Sequence, residues 1–173
     1  MELLDLRKLT SGSLRPYRRL AAGEPIPAEG AILVDPARFA KERSILRATG
    51  RPVGLVVDGG TAAVDIAPFL GEIALLAIEF AKFSDGRGFS LATRIRRHHG
   101  FAGEIRALGA LIPDHAEFLL RSGVTSVALA DGLAVERFRK RLRLYSVWYQ
   151  DAEDARPTAL ELRHGRTRRR LAS

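Results

Sequence analysis

Lys82, Asp85 and Arg87 stand close together in the stretch "FAKFSDGRGFS" (80–90), with Gly86, Gly88 and Ser90 among them. Two cations, an acid and two glycines in one turn suit a particular task. Gly86 and Gly88 permit positive φ and close backbone approach. Free N–H groups at the start of a following helix attract negative charge, and Lys82 and Arg87 add formal charge to them. The combination fits a small oxyanion such as phosphate, sulfate, sulfite or a carboxylate. Asp85 either orients Arg87 or exchanges a proton. The alternative is a local role, with Asp85 and Ser90 capping the turn and Arg87 pairing with a neighbouring carboxylate. A dinucleotide fingerprint is excluded, because "GRG" lacks the third glycine at the required spacing, and no Gly-Lys-Ser/Thr phosphate loop occurs in the chain.

A second constellation is "GEIRALG" (103–109). Glu104 and Arg106 are two residues apart, so on a strand they share a face. In a parallel sheet covered on both faces, two such groups need each other or a ligand. Arg106 either joins Arg87 in one site or forms a structural ion pair with Glu104, which is also a candidate acid/base group. The histidines show no metal spacing. His98 and His99 are adjacent, hence about 100° apart on a helix, while His115 follows Asp114 at a helix start and His164 lies near the end. No metal is assigned. The run "ERFRKRLRLY" (136–145) carries Arg137, Lys140, Arg141 and Arg143 around an apolar stripe of Val135, Phe138, Leu142 and Tyr145. It reads as a solvated helix face, or as a docking surface for an acidic partner.

Short apolar runs alternate with helical segments and must position these groups. "AILVD" (31–35), "VGLVVD" (53–58), "IALLAIEF" (73–80), "GEIRALG" (103–109) and "SVALA" (126–130) read as buried strands. Between them, Pro36 and Gly50 bracket a helix with Phe39, Ile45 and Leu46 on its apolar side. A helix from Phe89 to His99 ends at Gly100, and Pro113 and Gly123 bracket another. Residues 132–145 form the last helix, and "SVWYQ" (146–150) is a final strand or packed coil. The pattern predicts an α/β fold with a mainly parallel sheet of five to six strands built from βα units, open or curled toward a partial barrel. Residues 1–29 read as an irregular segment with a short strand near "ELLDL", 30–150 as the single α/β domain, and 151–173 as a flexible polar, basic tail. In either architecture the functional loops sit at the carboxyl ends of the strands. The 82–90 turn is one of them.

Composition narrows the options. The 173 residues include no cysteine, which removes disulfides, thiolate-held zinc or iron–sulfur clusters and cysteine nucleophiles. The formal charge is +8, but the run from Arg163 to Ser173 holds five arginines and no acid, leaving about +3 for the rest. Arginine outnumbers lysine 24 to 4, and aromatics are not interleaved with the basic residues as stacking platforms would require, so nucleic acid is disfavoured as a partner. No apolar run reaches the length of a membrane helix and no secretory signal opens the chain, so the expectation is a soluble cytoplasmic protein.

The run "KFSDGRGFSLATRIR", with "GEIRALG" and "PDHAEFLLRSG" downstream, resembles a bacterial family of uncharacterised proteins. That family is described as an oxidoreductase or accessory protein of assimilatory sulfite reduction, because its genes neighbour those of sulfate reduction. The likeness spans residues 24–150 and includes "PVGLVV" and the closing "SVWYQ". The chain departs from the pattern at Phe89, where tyrosine is commoner, and at His115, where glutamine is. What the resemblance implies is a role in sulfite or sulfate reduction, beside an enzyme of that process. It brings no catalytic residue set, and no redox cofactor is assigned. The combined expectation is an anion site of Lys82, Gly86, Arg87, Gly88, Ser90 and Arg106, with Asp85 orienting an arginine. Two alternatives stand beside it: an enzyme on a phosphorylated small molecule with Asp85 or Glu104 as acid/base, and a protein-interaction module using the basic helix.

Overall fold

In the computed structural model, which describes residues 1–154 and 156–164, fourteen elements alternate along the chain. The strands are β1 (Glu2–Asp5), β2 (Tyr17–Arg19), β3 (Ala31–Val34), β4 (Val53–Asp58), β5 (Leu75–Phe80), β6 (Glu104–Gly109) and β7 (Ser126–Leu129). The helices are α1 (Pro36–Ala48), α2 (Ala63–Ile66) with a 3-10 continuation over Ala67–Glu72, α3 (Arg87–His99), α4 (His115–Arg121), α5 (Gly132–Leu142) and α6 (Ala159–Arg163). Local chemistry sets their ends. The Asp35 carboxylate accepts from the Arg38 N–H at 2.8 Å with Pro36 in the first turn of α1, and Asp131 accepts from the Ala134 N–H at 2.9 Å to start α5. Gly100 closes α3 in the left-handed region, with φ 60.

The seven strands lie in the order β1-β7-β6-β5-β4-β3-β2. Every neighbouring pair is parallel except β1 with β7, which is antiparallel. The sheet curls into a half-barrel. From β2 to β7 each strand lies next to its successor, so right-handed crossovers carry every connecting helix to one face. The core follows that rule. Leu55, Val57, Leu76, Ile78, Ile105 and Val127 on the sheet pack with Phe39, Ile66, Leu91, Ile95, Leu119 and Phe138 from the helices.

The α/β class and the largely parallel sheet agree with the sequence reading, and of its two alternatives, open or curled, the sheet takes the curled one; the strand count differs. Seven strands form where five to six were expected, because the amino-terminal segment supplies both edges: β1 beside β7 and β2 beside β3. Neither edge strand has the apolar run of a buried strand. β3 and β7 are buried on both faces, as expected, but the core helices pack against one face, and the other is helix-free among the described residues. It has its own small core of Leu33, Val56, Leu75 and Ala77, with Tyr17 and Leu108 against it. The connection from β1 to β2 must therefore cross from one sheet edge to the other. It is held on the way by Arg139, which donates to the Leu9 carbonyl (3.0 Å) and Ser11 Oγ (3.0 Å), and by Arg106, which donates to the Arg15 carbonyl (3.0 Å).

Smaller differences have equally local causes. Ile45 is exposed while Phe39 and Leu46 are buried, so the apolar side of α1 is narrower than its composition suggests. "SVWYQ" is coil with one isolated bridge from Trp148 to Thr158. Beyond it, the Glu153 N–H donates to the Arg121 carbonyl at 2.9 Å and the Arg156 guanidinium lies 4.5 Å from the Trp148 ring centre. Thr158 and Glu161 form a capping box at the start of α6. Of the stretch 151–173 expected as a flexible polar, basic tail, residues 155 and 165–173 lie outside the described residues. No described helix is long and apolar enough to cross a membrane.

Candidate functional site

The turn between β5 and α3 emerges at the carboxyl end of β5, where the strand-end rule places functional loops. Its centre is a two-pronged ion pair. Arg87 Nη2 donates to Asp85 Oδ2 at 2.6 Å and Arg87 Nε to Oδ1 at 2.9 Å, while the Arg87 backbone N–H also reaches Asp85 Oδ1 at 3.1 Å. Asp85 thus orients the arginine and accepts from the first N–H of α3, whose N-cap is Gly86. The hydrogen bonds from Arg87 hold the Asp85 carboxyl down at about 2. A group so acidic is ionised throughout the neutral range and a poor proton acceptor there. Arg87 nevertheless keeps 69% of its side chain exposed, and Lys82 is exposed beside it.

The strand next door completes the turn. A Cβ on Gly60 would lie 2.7 Å from Arg87 Nη1 and 3.0 Å from Asp58 Oδ1, and one on Gly59 would lie 2.7 Å from the Gly88 N. The guanidinium therefore rests over the Gly59–Gly60 turn after β4, and Asp58 adds to the field that keeps it charged. Asp58 is itself held by its turn, accepting from the Gly60 N–H at 2.6 Å. Gly88 is required for a different reason from the one expected. A Cβ there would meet the Phe80 ring at 2.5 Å, so glycine lets the start of α3 lie directly on that ring. Gly86 has φ −80 and room for a side chain, so its backbone makes no special demand. Ser90 is exposed in α3, which starts at Arg87 rather than Phe89.

Below the turn lies an aromatic floor. The Phe80 and Phe89 ring centres are 5.1 Å apart, and His115 at the start of α4 packs edge-on to Phe89 at 5.6 Å. His115 is nearly buried, and its Nδ1 has no hydrogen-bond partner among the described residues. Burial holds its imidazole below the usual histidine range. Among the described residues no group of three histidines or carboxylates is arranged to hold a metal.

Glu104 and Arg106 form a separate cluster on the helix-free face, toward the amino half of β6. Arg106 is 3% exposed. Its Nη2 donates to Glu104 Oε1 at 2.7 Å and to the Arg15 carbonyl, and its Nε reaches Glu104 Oε1 at 2.9 Å and Ser126 Oγ at 3.3 Å. Ser126 Oγ donates to the same Glu104 oxygen, and the Arg106 guanidinium covers the Tyr17 ring at 5.5 Å. Burial, with Glu104 adding, pushes the Tyr17 hydroxyl above its ordinary value. Lys82, Asp85, Gly86, Arg87 and Gly88 are thus brought together. Glu104 and Arg106 are set apart from them and satisfied by one another. The sequence reading missed Asp58, Gly59 and Gly60 as parts of the turn and Tyr17 and Ser126 as parts of the second cluster. An acid followed by two glycines at the end of an apolar run was the visible signal for the first three.

No curated protein matches the chain at a significant level. The model of a family of bacterial proteins of unknown function (DUF934) matches residues 54–160, from the second residue of β4 into α6. That is more than half of the chain and takes in the whole 82–90 turn, and the chain belongs to this family.

Proposed function

We propose that the protein recognises a small oxyanion at the 82–90 turn and serves assimilatory sulfite or sulfate reduction in the cytoplasm, as an accessory to an enzyme of that process. The observation that carries the anion reading is the state of Arg87. Asp85 and the Gly59–Gly60 turn fix its guanidinium, yet most of it stays open to solvent beside Lys82. A pre-oriented arginine spends little conformational freedom on binding, and its planar donors match an oxyanion. In this reading Asp85 is a positioning residue, Lys82 and Arg87 hold the charge, and Arg106 belongs to the scaffold. The sulfur chemistry rests on the family resemblance of the turn and names sulfite and sulfate as the first anions to try.

An acid/base enzyme acting on a phosphorylated small molecule fits less well. It asks Asp85 to exchange protons while Arg87 holds it at about 2, or Glu104 to do so while one of its oxygens accepts from both Arg106 and Ser126. An oxidoreductase role would take its electron carrier from a motif outside the known dinucleotide loops or from the partner enzyme.

Thermal unfolding in sulfite, sulfate, phosphate, flavin and nicotinamide nucleotides tests the reading. An anion at a hundredfold excess over its Kd adds about 2.7 kcal/mol to stability. The expected result is a rise in Tm with at least one of the oxyanions that Arg87→Ala abolishes and Ser90→Ala leaves intact. No rise with any of them, or a rise that survives Arg87→Ala, would sink the anion site.

A further inference from the structure

The carboxyl-terminal part of the α/β unit shows a surface that the anion reading does not use. On α5, Val135, Phe138 and Leu142 turn inward. Leu133, Arg137 and Lys140 follow one another at helical spacing on an exposed side, Leu133 63% exposed, and Leu144, two residues past the helix, is 55% exposed. The chain then leaves the helix as coil. Trp148 turns inward, donating from its indole to Glu117 Oε2 at 3.0 Å, while Tyr145, Val147 and Tyr149 stay exposed, Tyr149 to 91%. An exposed cationic helix stripe thus leads into a coil whose apolar side chains Leu144, Tyr145, Val147 and Tyr149 are exposed. Scattered surface apolars need no explanation, but a contiguous run of this kind does.

The cations are as telling. Arginines elsewhere in the described residues are largely paired: Arg43 with Glu72, Arg97 with Glu153, Arg121 with Asp154, Arg139 with Glu136. Arg137, Lys140 and Arg143 make no ion pair among the described residues. A second copy of the chain would bring like charges onto this stripe, and the chain's own residues 166–170 are arginine-rich too. Nucleic acid would match the charge and could stack on the tyrosines, but would leave Leu133, Leu144 and Val147 without apolar partners.

We infer that the α5 stripe and the 145–149 strip form a docking surface for a segment of a partner protein that is acidic and carries apolar anchors. Tyr145 and Tyr149 are the central contacts, since tyrosine gives a large, rigid contact area. Arg137, Lys140 and Arg143 form the rim that selects the partner's charge and speeds its approach. The inference is independent of the anion site, and either can fail alone.

Site-specific photo-cross-linking of the full chain in bacterial cells tests it. A benzophenone amino acid replaces Tyr149, and in a control it replaces Val64 of α2, which is 70% exposed; cross-linked peptides are sequenced by mass spectrometry. The expected product joins position 149 to a net-acidic, apolar-containing peptide of another protein. Its yield should fall about tenfold in Arg137→Glu/Lys140→Glu, as two rim charges together would allow. Unchanged melting of that double variant would show that it still folds; if it does not melt as the parent does, Arg137→Gln/Lys140→Gln takes its place. Four results would overturn the inference: no product above the Val64 control, a product with a second copy, a product within the chain, or a product with nucleic acid.

Discussion

Asp85-x-Arg87 and Glu104-x-Arg106 are the same motif in sequence, an acid two residues before an arginine, and opposite objects in the fold. In the first, the pair closes a turn at the strand ends and leaves its arginine 69% exposed; in the second, it lies along a strand with its arginine 3% exposed. A buried guanidinium must have its donors satisfied, and Glu104, Ser126 and the Arg15 carbonyl do so. An exposed one is bound by no such demand. Local spacing therefore predicts that each pair forms, and burial decides what the pair is for. Arg106 ties the crossing amino-terminal segment to the sheet, while Arg87 is oriented and left available.

The contrast breaks most visibly at the buried pair. Arg106→Ala should cost about 3–5 kcal/mol, because it strands the Glu104 carboxylate and frees the Arg15 segment. Urea denaturation measures it. Adding Glu104→Gln should recover part of the loss, since no uncompensated charge then remains. A loss within 1 kcal/mol, roughly what an exposed pair is worth, would mean that the two arginines do not differ as described.

A second test concerns the platform rather than the charges. Gly88→Ala places a Cβ against the Phe80 ring, and the start of α3 or the ring must shift. Overpacking of this kind costs about 1–3 kcal/mol. It should also tilt Arg87 off the Gly59–Gly60 turn and weaken any anion response, whereas Gly86→Ala, with open space around it, should do neither. Melting curves of both variants with and without sulfate separate the two positions.

Much of this was readable in the sequence, for a physical reason. β3 to β7 are apolar runs bounded by Pro, Gly and capping acids, so period and punctuation agree, and the turn at 82–90 follows from knowing where β5 ends. β1 was legible as a short strand near "ELLDL", but its place at the sheet edge was not, and β2 was missed, because short edge strands lack a continuous apolar signature and their pairing is set by the rest of the sheet. The one-sided placement of the helices depends on strand order, which no local pattern encodes. The role of Arg106 followed from the same missing information. Without knowing that β2 reaches the far edge, nothing in "GEIRALG" says that the Arg15 carbonyl and Tyr17 would meet it. Gly59 and Gly60 were visible as a turn, but their contact with Arg87 is a tertiary fact.

At the exposed pair the effects on stability are smaller and the functional ones larger. Arg87→Ala should change stability by no more than about 1 kcal/mol, in keeping with a solvent-screened pair. It should still remove the whole oxyanion-induced rise in Tm, while Asp85→Asn should weaken that rise by loosening the guanidinium. A stability loss matching that of Arg106→Ala would turn the turn into scaffold and erase the comparison.

The smallest expected effect is in pH, at the floor beneath Arg87. His115 is held below its ordinary value of 6.5 by burial against Phe80 and Phe89. Above that value the imidazole is neutral in both the folded and the unfolded chain and contributes no slope. As pH falls through it, the unfolded chain takes up the proton first, so stability declines until the folded imidazole also titrates, by at most about 1.4 kcal/mol per pH unit. Glu117 acts in the opposite sense: burial raises its carboxyl above 4.5, so the folded chain takes up that proton first and gains stability as pH falls toward 4.5. The two windows can overlap and mask each other in the parent protein. The difference between His115→Gln and the parent isolates the imidazole, and it should grow in favour of the variant as pH falls below 6.5. A difference that stays flat with pH would mean that His115 is not held neutral by its surroundings, and that the platform under Arg87 is open to water.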